Sequence, residues 1–287
     1  MVFYLCKKVE DNTMIKMIQN LHTHTVLCDG RDTPEEMIEE AIARGFSSLG
    51  FSSHANTCFA DTCELLGKTD DYIAEINRMK AKYEGKLKIF LGLELDRYSE
   101  GYIPNYPFDY KIASTHYAVY NGEKICYDIS LDHSRDVVRR LLDGDIMMYA
   151  RLYYETLADM PNHIEGDFVG HFDILTKFEE LAPELFDTGS PIYRKMALEA
   201  LHAVREKFEF FEVNAGTLGR GYRTYPYPAP FILDEMKKIG CKLLITTDCH
   251  NKNHLTTGFS ESVELVRAHG FTEIYELSDG GFVGRKI

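Results

Sequence analysis

His22 and His24, in the stretch IQNLHTHTVLCDG from Ile18 to Gly30, are the first residues whose types and spacing could do chemistry. If the segment opens as a strand, side chains two residues apart point to one face, so the two imidazoles form a pincer. That spacing suits a divalent transition metal, and Asp29 offers an oxygen ligand close behind it. Histidines at this spacing also occur in ordinary strands. The weight of the reading therefore falls on what recurs downstream.

Recurrence is what the chain shows. A second predicted strand, Phe46 to Ser53, ends at His54, and a third, Lys88 to Leu95, carries Glu94 near its C-terminal end. Asp109 to Thr115 delivers His116, and Asp167 to Asp173 holds His171. Phe208 to Val213 runs to Asn214, and Lys242 to Thr246 delivers Asp248 and His250. Six of the seven predicted strands thus end in a residue that binds metals well. In α/β barrels the C-terminal rim of the strands carries the active site, where residues far apart in sequence converge. By contrast His133, His163, His202, His254 and His269 fall in predicted loops or helices and read as surface or packed residues.

The elements that must position these residues alternate strand and helix. Thr33, Pro34 and Glu36 form a helix-start signal, with Thr33 as N-cap and Glu36 closing a capping box. Met37, Ile38, Ala41 and Ile42 supply an apolar stripe, and Gly45 ends the helix. Further helices are expected over Asp70 to Tyr83, Ser190 to Lys207 with Ile192, Met196, Leu198, Leu201 and Val204 as its apolar contributors, Phe231 to Ile239, and Glu261 to His269. The rhythm breaks from about 117 to 165, which reads as a helical insertion with helices at Ser134 to Leu142 and Asp145 to Ala158. Residues 1–287 are expected to form a single-domain α/β fold, a distorted TIM-like (βα)7 barrel with its metal site at the C-terminal rim of the strands.

Composition narrows the function. A net charge of −13 argues against nucleic-acid or membrane-surface binding, which needs a basic footprint. Seven cysteines without paired CxxC spacing suggest reduced thiols, and no secretory signal or membrane span is recognisable, so the cytoplasm is the expected location. The first dozen residues stand outside the pattern; Met14 or Met17 would open the first strand as well as Met1 does.

The elements LHTHTVLCDG, FSSHA, GLELD, STHY, GHFD and TTDCH, in that order from Leu21 to His250, resemble the successive motifs of the polymerase and histidinol phosphatase (PHP) family. Within it, VNAGTLGRGYRTYP is similar to the histidinol-phosphate phosphatase pattern of an Asn strand end and an arginine-bearing loop. The resemblance implies a catalytic site of three divalent ions, zinc, iron or manganese. One would take His22, His24, Glu94 and Asp248. A second would share Glu94 and add His116 and His171; the third would take Asp29, His54 and His250. Glu94 and Asp248 would bridge metals or orient a hydroxide, and Arg220, Arg223 and Lys177 would bind substrate.

Such ions would outweigh the three carboxylates Asp29, Glu94 and Asp248, leaving a cationic pocket in an acidic protein. A phosphate monoester is the expected partner, and arginine forks suit its oxygens. The reading is a metal-dependent phosphomonoesterase converting L-histidinol phosphate to L-histidinol in histidine biosynthesis. The runner-up is a phosphoesterase of the same family acting on nucleotides or phosphotyrosine; a non-catalytic metal-binding module ranks below both. The absence of a GxSxG elbow disfavours a Ser/His/Asp hydrolase.

Overall fold

Apolar runs separated by helix-start and glycine signals give the chain its alternation of strand and helix. The computed structural model describes residues 15–287, so the starts proposed at Met1 and Met14 lie outside the described residues, whereas Met17 is buried. β1 (Gln19–Asn20) leads to α1 (Pro34–Ala43), whose start shows the expected capping box between Thr33 and Glu36. β2 (Ser48–Phe51), α2 (Thr69–Lys82), β3 (Lys88–Asp96) and β4 (Tyr110–Ser114) follow. After the segment at about 117–165 come β7 (Phe168–Val169), α5 (Pro191–Arg205), β8 (Phe210–Asn214), α6 (Gly216–Arg220), α7 (Pro230–Lys238), β9 (Lys242–Thr246) and α8 (Phe259–Ala268).

The strands pair in parallel in the order β1-β2-β3-β4-β7-β8-β9. The sheet nearly closes: beyond the ends of β1 and β9, Thr23 bridges Cys249 in parallel. The His24 amide donates to the Cys249 carbonyl at 2.9 Å, and the Cys249 amide donates to the His22 carbonyl at 3.0 Å. The seam of this barrel therefore lies at the rim, between two of the candidate ligand motifs.

Period-two alternation sorts each strand. In β3, Ile89, Leu91, Leu93 and Leu95 join the core shared with the helices, while Phe90 joins an inner cluster with Leu21, Tyr110, Ile112, Phe168 and Leu244. Glu94 follows the parity of Phe90 and so faces the barrel axis. Gly92 lies between them because a Cβ there would sit 2.3 Å from the Tyr110 ring, which fills the barrel beneath the rim.

Two hairpins were not expected. The segment at about 117–165 opens on β5 (Tyr117–Tyr120) and β6 (Glu123–Cys126), paired antiparallel, instead of being helical throughout. Their turn is Asn121-Gly122, both at positive φ, the geometry that two-residue hairpin loops require. The expected helices follow as α3 (Leu131–Asp136), continued by a π-helical stretch Val137–Leu141, and α4 (Ile146–Asp159). The tyrosines of α4 are packing residues: Tyr153 donates to the Phe172 carbonyl at 3.0 Å, and the Tyr154 hydroxyl meets that of Tyr193 at 2.9 Å. The second hairpin, β10 (Glu273–Ser278) and β11 (Gly281–Lys286), caps the other barrel end through Gln19 and Leu277 and through Phe282 against Phe168 and Phe210.

α5 buries Leu201 and Val204 of the expected stripe, leaves Met196 and Leu198 partly buried and turns Ile192 outward. Tyr193, Ala197, Ala200, Leu201 and Val204 are inside, and Ile192 is 59% exposed. Tyr193, which was not among the expected contributors, reaches the core instead of Ile192. The six described cysteines are free thiols, with Cys126, Cys241 and Cys249 buried and Cys58 exposed.

Candidate metal centre

Glu94 is the hub of the rim. It is 1% exposed, and its Oε2 stands 3.2 Å from His22 Nε2, 3.4 Å from His24 Nε2 and 3.0 Å from His54 Nδ1. On its other oxygen, Oε1 lies 2.9 Å from His171 Nε2, 3.3 Å from His116 Nε2 and 2.8 Å from Ser114 Oγ, which donates to it. One carboxylate thus meets five imidazoles delivered by four different strand ends, His22 and His24 both following β1.

Two acids flank this hub. Asp248, at positive φ just past β9, places Oδ1 3.6 Å from His22 Nε2, 3.5 Å from His24 Nε2 and 3.4 Å from His250 Nδ1. Asp29 sits 3.4 Å from His24 Nδ1, 3.7 Å from His54 Nε2 and 3.1 Å from His250 Nε2. His24, Asp29, His54 and His250 make one compact donor group; His22, His24 and Asp248 make another. Glu94 closes two more, one with His22 and His171 and one with His54 and His116. His116 and His171 both approach Glu94 Oε1, while His54 reaches toward Glu94 as well as Asp29.

The electrostatics match a site built for cations. Burial would depress the His22 imidazole, but Glu212, Glu94 and Asp248 outweigh it and hold its pKa well above the usual value. His54 and His116 are raised in the same way, against burial, chiefly by Glu94. Burial would raise Glu94, yet His22, His54 and His116 hold it well below the ordinary carboxylate range. Among the described residues, the buried atoms His22 Nε2, His24 Nε2 and Glu94 Oε2 have no hydrogen-bond partner. Unpaired buried polar atoms are costly, and a divalent cation among two imidazole nitrogens and a carboxylate would satisfy them together.

Two carboxylates behind the histidines escaped sequence reasoning. Glu212 accepts from His22 Nδ1 at 2.6 Å, from the His171 amide at 2.6 Å, from Asn214 Nδ2 at 2.9 Å and from Thr246 Oγ1 at 2.5 Å. Asp96 accepts the His116 amide at 2.6 Å and lies 3.3 Å from its Nδ1. Carboxylates of this kind fix which ring nitrogen faces a metal and raise its basicity. The available signal was parity: Glu212 is two residues from Phe210, and Asp96 two from Glu94.

A cavity of about 460 Å³ opens over the rim. Arg220 lines it, donating to Asp248 Oδ2 at 2.9 Å and standing 3.3 Å from His250 Nδ1. Lys177 also lines it, its ammonium donating to the Asp128 carbonyl at 2.6 Å; burial lowers its pKa, against the pull of Asp128. Arg223 does not belong to that wall. It is 3% exposed, donates to Thr176 Oγ1 at 2.7 Å and stacks on Tyr225 and Tyr227 at 4.0 and 4.7 Å, a buried structural cation. The two arginines are three residues apart: Arg220 closes α6 and lines the cavity, whereas Arg223 lies in the loop beyond it and is buried in the core.

Comparison with known proteins agrees with this geometry. Residues 20–216 match the PHP domain family. The chain is 25% identical to the histidinol-phosphatase of Bacillus subtilis, over 85% of this chain and 97% of that protein. It is likewise 25% identical to the histidinol-phosphatase of Lactococcus lactis, over 92% of this chain and 95% of the relative. A crystal structure of the Lactococcus lactis histidinol phosphate phosphatase complexed with zinc, L-histidinol and phosphate superposes with a TM-score of 0.69 at 22% identity, covering 92% and 98% of the two chains. That likeness establishes the fold, a seven-stranded barrel.

Proposed function

The chain belongs to the PHP domain family, and on that premise we propose that it is a metal-dependent histidinol-phosphatase, hydrolysing L-histidinol phosphate to L-histidinol and phosphate. The observation that carries this reading is the set of buried, unpartnered donors around Glu94 beneath a cavity walled by Arg220 and Lys177. The names of the bacterial relatives support the substrate.

His22, His24, Glu94 and Asp248 would hold one ion; Glu94, His116 and His171 a second; Asp29, His54 and His250 a third. Divalent ions held there supply Lewis-acid charge and make water a usable nucleophile at neutral pH. Zinc is the identity we favour, with iron and manganese as the alternatives that the same nitrogen and oxygen donors accept. Glu212 and Asp96 hold His22 and His116 in the orientation that turns Nε2 toward Glu94. Arg220 keeps Asp248 ionised and in place, and with Lys177 it meets negative charge on the phosphoryl oxygens. The whole chain reads as one catalytic unit with an insertion at about 117–165, acting on a small phosphate monoester in the cytoplasm as part of histidine biosynthesis.

The test is a comparison of kcat/KM for L-histidinol phosphate, nucleoside monophosphates and phosphotyrosine on metal-loaded protein. A preference for L-histidinol phosphate of at least about tenfold, or ~1.4 kcal/mol of transition-state discrimination, is expected. Equal turnover of all three would replace the histidine-pathway reading with a general phosphoesterase.

A further inference from the structure

We propose that Arg31, which no motif singled out, is a further residue that grips the phosphoryl group of substrate and product, at the mouth of the cavity and beside Arg220 and Lys177. The proposal rests on the reading of the substrate as a phosphate monoester.

The loop after the HxH pair folds tightly back on itself. The Gly30 amide donates to the Thr25 carbonyl at 2.9 Å, and a Cβ on Gly30 would lie 2.5 Å from the His24 backbone, so only glycine permits this return. The next residue, Arg31, donates its amide to the His250 carbonyl at 2.9 Å. Its backbone is therefore pinned between the two motifs that meet at the barrel seam, and its exposed side chain lines the cavity beside Asp29 and His250.

Three cations stand on this cavity wall, and two are already committed. Arg220 is paired with Asp248, and Lys177 donates to the Asp128 carbonyl with that residue's carboxylate 3.9 Å away. The Arg31 guanidinium makes no hydrogen bond or ion pair among the described residues. Its acidic neighbours are otherwise engaged. Asp29 faces His24, His54 and His250, while Asp32 accepts the Lys252 amide at 2.8 Å and lies 3.6 Å from its ammonium. An uncommitted guanidinium binds a phosphate without breaking an existing pair, and its planar fork matches two phosphate oxygens at once. In a chain of net charge −13 it is also the cation an incoming dianion meets first at the rim.

Arg31 also lines a second cavity of about 310 Å³ on the other side of Arg220 and His250.

The experiment uses the zinc-loaded full chain as wild type, Arg31→Ala and Arg31→Lys. Inhibition of L-histidinol phosphate hydrolysis by inorganic phosphate and by L-histidinol is measured, and phosphate binding is measured directly by calorimetry. Arg31→Ala is expected to raise KM, the phosphate inhibition constant and the phosphate Kd by roughly tenfold, the size of a lost charge-assisted hydrogen bond. Inhibition by L-histidinol and zinc content stay unchanged, and Arg31→Lys falls between, since it keeps the charge and loses the fork. Phosphate affinity within about twofold of wild type, or equal weakening of phosphate and L-histidinol, overturns the proposal. If wild type fails to hydrolyse L-histidinol phosphate, the functional reading falls, and calorimetry with phosphate still decides the role of Arg31.

Discussion

Glu212 Oε1 lies 2.6 Å from His22 Nδ1, with both side chains fully buried, so the imidazole that faces Glu94 is held from behind by a second carboxylate. The same Glu212 accepts the His171 amide, tying two strand ends to one charge. Glu212→Gln keeps the shape and removes the charge. It is expected to weaken metal affinity by about 10- to 100-fold with the fold intact. Zinc competition against a chelator, with circular dichroism as the fold control, reads this; unchanged affinity would show Glu212 to be a packing residue only.

The two loop arginines are predicted to separate cleanly. Arg220→Ala should lower kcat/KM by roughly 100-fold or more, as loss of a charge-stabilising donor does, with the smaller loss of Tm of the two, since its side chain is part-exposed and His22, His24 and His250 still face Asp248. Arg223→Ala removes a buried guanidinium that donates to Thr176 and stacks on Tyr225 and Tyr227, and should cost about 2–5 kcal/mol of stability. Urea unfolding and steady-state kinetics on both variants check the pair, and the reverse pattern would reverse the assignment.

Gly30→Ala drives a methyl group into the His24 backbone, so the loop must open and carry Asp29 away from His54 and His250. The expected result is a loss of about 1–3 kcal/mol together with a lower metal content. Normal metal content at reduced stability would mean that Asp29 holds no ion.

Stability should depend on pH in opposite ways with and without metal. His22, His54 and His116 stand above their ordinary value of 6.5 in the metal-free fold: burial works against this, and the carboxylates around them outweigh it. A raised folded-state pKa stabilises fully below the unfolded value, and that contribution is lost as pH rises through the folded value. Glu94 and Asp248 are depressed and contribute above the ordinary carboxylate range, losing that contribution on the acid side. Metal-free protein should therefore lose Tm as pH climbs above about 6.5. Metal requires neutral imidazoles, so loading releases protons and gains affinity with pH. Zinc titrations in two buffers of different ionisation enthalpy measure the release; none would mean that these histidines were already neutral.

Much of the site was legible because its residues sit where strands end, and strand ends follow from apolar runs. The barrel and the convergence of His22, His24, His54, Glu94, His116, His171, Asp248 and His250 came from that regularity. Glu212 stayed hidden because one acid in FFEVN looks like any other until the inward parity of Phe210 and Asn214 is applied. The hairpin at Tyr117 to Cys126 carried its signal in Asn121-Gly122, overlooked beside the stronger helical pattern that follows. Arg220 and Arg223 could not be separated because α6 is a single short turn that gives way to loop after Arg220, too little periodicity to say which side chain turns inward. Ile192 and Tyr193 were misordered because hydropathy ranks isoleucine above tyrosine, whereas α5 needed a hydroxyl to meet Tyr154.

The most direct test of the account is metal stoichiometry measured alongside turnover of L-histidinol phosphate, in wild type and Glu94→Gln. The account predicts several divalent ions per chain in the wild type, and a loss of both ions and activity when the carboxylate that meets five imidazoles loses its charge. A Glu94→Gln protein that keeps its full metal content and its rate would contradict it.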